Sequence, residues 1–286
     1  MSVDIDHLNS WIGKTETASD LLSASQLAGL AATLDVDGPA PEPGDPVPPA
    51  AHWIFFNSRT KASELGYDGH AKLGGFLPPV ELPRRMWAGG RISWPGTLRV
   101  GDVITRTSTI ADVTHKFGKS GELVFVVVRH EVANDAGVCV SEEHDIVYRS
   151  VDDSNVAPPA KLVARPAPDD AVWSRIIDPD PVMLFRYSAL TFNGHRIHYD
   201  LKFVTEEGYP GLIVHGPLIA TLLMDLCQRK RPDAALANFS YRAMSPLFDT
   251  AQFTVNGRPG ADGTASLWAA NAEGSLAMQA DAVFDG

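Results

Sequence analysis

Leucines at 21, 22, 27, 30 and 34, with alanines between them, recur every three or four residues. That period matches one face of an α-helix and predicts a helix over residues 18–34. Thr17, Ser19 and Asp20 supply polar start signals for it. The pattern stops at a proline-rich run, residues 36–49, which cannot be a regular helix and reads as a surface connection. Residues 52–96 then hold Trp53, Phe55, Phe56, Phe76, Trp87 and Trp94 among many glycines and prolines. This segment is irregular yet too aromatic for disorder, and it predicts a long ordered loop that lines something.

From there the period shortens to two. Val103, Thr105, Thr107 and Thr109 alternate within a strand predicted over Asp102–Val113. Further strands are predicted at Gly121–Val132 and Val138–Tyr148, joined by the Asn134–Gly137 turn. A second linker, residues 151–170, is rich in Pro, Ala and Asp. The chain then restarts with a helical stretch near Met183–Leu190 and an apolar helix at Pro217–Cys227. Strands follow at Leu236–Ala243, Thr250–Val255, Ala265–Asn271 and Ser275–Phe284, with Asn256-Gly257 and Ala272–Gly274 as turns. Both halves end in successive antiparallel strands. The pattern therefore predicts an α+β chain made of two degenerate copies of one unit, residues 1–150 and 171–286.

Composition narrows the function. A formal net charge of −11 over 286 residues argues against nucleic-acid binding, which needs a basic face. No apolar run approaches the ~20 residues that span a bilayer, and the start does not read as a signal peptide. The two cysteines, Cys139 and Cys227, form no zinc or disulfide pattern, which favours a cytoplasmic setting.

The chemistry concentrates in residues 187–218. Asn193 can orient a water but cannot take a proton near neutral pH. His198, five residues on, can do so. His195 competes with it, but no carboxylate or thiol stands at a third-ligand spacing, so no metal is expected. Asp200 reads as a local cap or an orienting partner. Gly216 opens the apolar helix, where an unpaired backbone N–H at the positive end of the dipole can hold an oxyanion. A tight loop-to-helix turn is the plainer reading of that glycine taken alone.

Asn193-Gly-His-Arg-Ile-His198 resembles the hydratase motif of the MaoC-like hydratase superfamily, and the spacing to Ile213-Val-His-Gly216 matches without a gap. The wider wording of residues 186–200 is similar to a narrower branch. That branch comprises the type 2 hydroxyacyl-thioester dehydratases and the mesaconyl-C4-CoA or itaconyl-CoA hydratases, and it has asparagine where the broader family has its acid. Trp53–Tyr148, with Leu82–Gly90, resembles the branch's N-terminal half. The resemblance implies a double hot-dog fold, with an N-terminal unit that carries no catalytic motif and serves the acyl-CoA pocket. It implies His198, Asn193 and Gly216 as catalytic positions and reversible water addition to a 2-enoyl-CoA as the reaction. Coenzyme A enters only as part of the substrate, with no other cofactor. His195, Arg196, His215, Arg84, Arg85 and Trp87 are candidate substrate contacts, with Met86 able to pack on the ligand. A homodimer is expected. Two other readings stay open: a hot-dog thioesterase using Asp225, and a non-catalytic acyl-CoA-binding protein.

Overall fold

In the computed structural model the chain runs from a short helix, α1 (Ile5–Asn9), into β1 (Thr15–Leu21) and α2 (Ala24–Leu34). The structure describes residues 3–118, 121–150 and 165–285, so most of the linker expected at 151–170 lies outside the described residues. The helix expected over 18–34 is therefore shorter. Its first residues form a strand that pairs antiparallel with β3 (Val103–Gly118), from Thr15↔Thr109 to Leu21↔Val103. Leu21 is exposed on that strand while Leu22 is fully buried, so the two leucines do not share a helical face. The helix starts after Ser23 and ends at Asp35, which takes a left-handed conformation.

The long aromatic loop also needs correction. Residues 52–83 are irregular apart from short 3-10 turns, but Arg84–Ser93 is a strand, β2. Its glycines and mixed polarity hide the period of two. β4 (Gly121–Asn134) and β5 (Gly137–Arg149) complete the N-terminal half.

After β6 (Trp173–Ile177), which sequence reasoning missed, come α3 (Pro181–Leu190), α4 (Leu201–Glu206) and α5 (Gly216–Lys230). β7 (Leu236–Ala243), β8 (Phe253–Pro259), β9 (Thr264–Ala270) and β10 (Leu276–Phe284) close the chain. The turn expected at Asn256-Gly257 lies inside β8 instead. There Gly257 pairs with Trp173 and Asn256 accepts a hydrogen bond from Ser174 at 2.8 Å, both supplied by the unforeseen β6.

The strands form one sheet in the order β1-β3-β4-β5-β2-β7-β10-β9-β8-β6. Read from either end, the order is the same: strand, helix and four more strands, placed identically in each half. The halves meet where β2 pairs antiparallel with β7, from Gly89↔Arg242 to Ser93↔Asn238. α5 is the better-buried central helix and packs against β6, β8, β9 and β10. Every residue from Leu218 to Cys227 is buried. A helix apolar on all sides belongs inside a wrapped sheet, and each buried leucine contributes about 1.5–3 kcal/mol. α2, its counterpart by position, packs on α3 and on the turn at Ala51–Ile54.

Asp225, the thioesterase candidate, lies near the end of α5. It accepts from Arg175 Nη1 and Arg229 Nε, each at 2.7 Å, and both arginines also donate to Leu34 O. The carboxylate thus ties α5 to the end of α2 and does not line the principal cavity.

Candidate active site

The motif segment is shaped by local hydrogen bonds before any long-range packing. Asp180 caps α3 by accepting from Met183 N at 2.7 Å, with Pro181 at the first turn. The helix ends at Thr191, whose hydroxyl donates to Tyr187 O at 2.8 Å. Phe192 then turns left-handed with φ 50°, and Asn193 N donates to Ser188 O at 2.8 Å. Asn193 Oδ1 accepts from His195 N at 3.0 Å, an Asx turn that leaves its amide NH₂ free for a ligand. A 3-10 turn carries Arg196–His198, and Asp200 caps α4 through Phe203 N at 3.0 Å.

His198 is buried, and its Nδ1 lies 2.7 Å from Ile213 O. A carbonyl only accepts, so Nδ1 carries the proton and Nε2 keeps its lone pair. Burial lowers the pKa to about 4, opposed by the bond to Ile213 and assisted by the charge of His70. The ring is therefore neutral at pH 7, as a general base must be. The backbone bond from Ile213 N to Ile197 O, at 2.9 Å, ties the motif to the segment leading into α5.

Gly216 is the first residue of α5, after His215 at the N-cap. Its N–H has no backbone acceptor among the described residues. A Cβ at this position would stand 3.1 Å from Trp87 Cε3, so the missing side chain leaves the N–H reachable beside the indole. Trp87 is itself braced edge-on by Trp53, ring centres 5.4 Å apart, and Trp53 Nε1 donates to the buried Glu142 at 2.9 Å.

A cavity of about 960 Å³ brings together Asn193, His198, His195, Gly216 and Trp87, with Arg84 and Arg85 also on its wall. Two expected contacts lie elsewhere. Arg196 points away from the cavity: its Nε and Nη2 donate to Asp200 Oδ2 at 2.9 and 2.7 Å, and its Nη1 donates to Tyr67 O at 3.1 Å. Its charge is committed to the fold. His215 is fully buried behind His198, where its Nε2 lies 2.8 Å from the hydroxyl of Ser188. Arg84 and Arg85 separate as neighbours on a strand must. Arg85 faces inward with its register partner Tyr148, while Arg84 lies beside Tyr209, 6.0 Å from its ring. Met86 follows Arg84 on the same face of the strand, and it is exposed and also lines the cavity.

The N-terminal half adds residues that motif spacing did not reveal: Tyr67, Asp68 and His70 line the same cavity. Asp68 Oδ2 and His70 Nδ1 are 2.8 Å apart, and His195 Nε2 stands 4.0 Å from the same oxygen. Burial pushes the Asp68 carboxyl up, but the bond to His70 and its charge outweigh it and hold the pKa well below the usual range. Burial lowers His195 to about 2, with His70 and His198 adding to the effect. A carboxylate does therefore stand near His195, 127 residues earlier in the chain (195 − 68), contrary to the spacing argument. Asp68, His70 and His195 thus bring potential ligand atoms together, which the spacing argument did not foresee, and within the cluster Asp68 and His70 are hydrogen-bonded to each other as a carboxylate–imidazole dyad. Signals for it existed only in the loop's composition: Gly66, Asp68, Gly69 and His70 together make a turn with titratable groups.

The sequence pattern of the hydroxyacyl-thioester dehydratase type 2 family matches residues 50–249. Over 273 residues the chain is 44% identical to the mesaconyl-C(4)-CoA hydratase of Chloroflexus aurantiacus, covering 95% of each chain. Among solved structures, HtdX of Mycobacterium tuberculosis matches with a TM-score of 0.66 at 18% identity, over 95% of this chain and 100% of that one. Another Mycobacterium tuberculosis protein, described as a double hotdog, matches at 0.58 and 13% identity, over 96% of each chain. The mirrored strand order, two positionally equivalent helices and these likenesses agree on a double hot-dog fold. With the family pattern spanning both halves and close kinship to a curated hydratase over nearly the whole chain, the chain belongs to the hydroxyacyl-thioester dehydratase type 2 family.

Proposed function

We propose that the protein is a hydro-lyase that adds water reversibly to a 2-enoyl-CoA bearing a second carboxylate, of the mesaconyl-C4-CoA or itaconyl-CoA type. The Gly216 N–H polarises the thioester oxygen and takes the enolate charge. Asn193 orients the water, and His198 Nε2 removes its proton. These parts need no resident cofactor: coenzyme A arrives with the substrate.

Arg85 carries the choice of substrate. It faces the inner cavity with no carboxylate partner among the described residues, and its charge acts on both His70 and His195. A half-buried guanidinium that meets the Tyr148 hydroxyl but no described carboxylate suits a carboxylate on the substrate's β-carbon. The kinship with a mesaconyl-C(4)-CoA hydratase points the same way. Arg84 and Arg149, paired in register, suit the phosphates of coenzyme A. A cytoplasmic setting goes with this reading, supported by two buried free cysteines and kinship with a bacterial hydratase, and a homodimer is proposed with it. No described helix is long and apolar enough to cross a membrane.

The test compares crotonyl-CoA, mesaconyl-C4-CoA and itaconyl-CoA as substrates, following loss of enoyl absorbance and release of free CoA on the same samples. Arg85→Met should raise KM for the dicarboxylic thioesters about 10-fold or more, the scale of a charged hydrogen bond, and leave crotonyl-CoA unchanged. CoA release without hydration overturns the reading in favour of a thioesterase. Binding without turnover overturns it in favour of an acyl-CoA carrier.

A further inference from the structure

Water addition moves two protons at different atoms. One leaves the water, and one arrives at C2 of the acyl group. His198 can accept the first. Within the motif only His198 could supply the second, by returning the water's own proton to C2, because Asn193 is an amide and His195 has no hydrogen-bonded carboxylate of its own.

The cavity holds one further imidazole. Among the described histidines lining it, His70 alone is hydrogen-bonded to a carboxylate, with Nδ1 donating to Asp68 Oδ2 at 2.8 Å. That bond fixes the tautomer and leaves Nε2 as the exchanging atom. Its ring centre lies 4.0 Å from that of His195, which lies 5.5 Å from that of His198.

The loop that carries the dyad is locked to the hydratase motif. Gly69 has φ 90°, and a Cβ there would overlap Gly194 O, so only glycine permits this approach. Arg196 N donates to Asp68 O at 2.9 Å, and Arg196 Nη1 reaches Tyr67 O. The N-terminal half thus docks a carboxylate-backed histidine against the motif through main-chain contacts on both sides.

Building on the hydratase reading, we infer that His70 is a further catalytic residue, the acid–base group at C2, and that Asp68 is its positioning residue. In hydration the water oxygen bonds to C3. The C2=C3 electron pair moves into the thioester enolate held at Gly216, and the water's proton goes to His198 Nε2. The His70 imidazolium then gives its Nε2 proton to C2 as the enolate collapses. His70 ends neutral and His198 protonated; exchange with solvent restores both. One water is added and nothing is oxidised or reduced. In dehydration the carboxylate-backed His70 removes the C2 proton, and protonated His198 releases the hydroxyl as water.

The charged and titratable groups facing His70 are Asp68, Arg85, His195 and, farther off, His198. Burial, with the Arg85 charge, holds the His70 pKa below the ordinary histidine value, and only Asp68 favours its protonation. The active form in both directions therefore carries one proton shared between His70 and His198.

The experiment uses the full chain with mesaconyl-C4-CoA. It measures hydration kcat and KM across pH, deuterium wash-in at C2 of the 3-hydroxyacyl product in D₂O, and thermal stability. His70→Gln should lower kcat about 100-fold or more, with KM within about threefold, and lower deuterium wash-in in parallel. Asp68→Asn should move the high-pH limb of hydration kcat to lower pH, because the imidazolium loses its anion. A His70→Gln variant with kcat within about fivefold of the parent overturns the inference. So does an Asp68→Asn loss that is uniform in pH and tracks lost stability, since that marks a structural brace. Wild-type protein inactive on every enoyl thioester overturns the hydratase reading and this one with it. Active wild type with an indifferent His70 overturns this one alone.

Discussion

The imidazoles of His198 and His215 lie stacked, ring centres 3.6 Å apart and planes 17° apart. The His215 ring fills the space behind the base with a second buried imidazole whose pKa burial pushes well down. A proton on either ring faces the other at van der Waals distance. The pair is therefore held neutral, and the proposed base, His198, is fixed in place by a neighbour that does not compete for its proton.

That neutrality predicts acid instability. Burial lowers His198 to about 4 and His130 to about 3, against about 6.5 in the unfolded chain. Below 6.5 the unfolded chain binds the extra protons, so stability is complete above that pH and falls as pH drops toward 4. Each such histidine contributes up to about 1.4 kcal/mol per pH unit. Urea unfolding at pH 7.5, 6 and 5 should show a midpoint that falls progressively below 6.5.

Gly216→Ala tests the oxyanion site by filling space. The new methyl would press on Trp87 Cε3 and cover the approach to the N–H, while alanine remains a good helix former. The expected loss in kcat/KM is on the order of 100-fold, with stability changed by about 1 kcal/mol or less. A thermal melt beside steady-state kinetics checks both halves of the statement.

Asn193→Asp should keep the fold, because a carboxylate oxygen can accept from His195 N as the amide oxygen does. The site would then hold the broader family's acid, and about a tenth or more of the parental turnover is expected to remain. Asn193→Leu, which can neither form the turn nor orient water, should lose about 100-fold. Stopped assays of the two variants side by side distinguish a tolerant site from one that needs the amide.

Asp225→Ala separates stability from catalysis. It leaves Arg175 and Arg229 without their shared carboxylate, a cost of about 2–3 kcal/mol after allowing for their partial exposure. Turnover per folded molecule should be unchanged, whereas a thioesterase using Asp225 would lose it. Chemical denaturation and specific activity on the same preparation read both.

Much of this site was legible because its residues are close in sequence. The run from Asn193 to Gly216 carries its own turn, tautomer-setting carbonyl and helix start, so spacing alone brought the proposed base and oxyanion donor to one cavity. Arg196 misled because its acceptor, Asp200, stands four residues on and captures it locally. His215 misled because a residue beside a functional glycine can face inward. Asp68 and His70 were invisible for the opposite reason: they sit in a loop with no period, and the motif they meet at His195 lies more than a hundred residues away. In the fold, the three N-terminal strands showed clear alternation. β2 did not, because its glycines and arginines answer to neighbours on both sides of the sheet.

The pairing of β2 with β7 carries a consequence for any attempt to divide the chain. Each strand is interior only because the other covers its hydrogen-bonding edge. Separated, either half would offer a bare template of unpaired amides and carbonyls, the kind of margin that recruits other chains into aggregates. The unit without a motif thus acts as a permanent cap for its sibling, and a bisected chain should recover solubility only when the two pieces are expressed together.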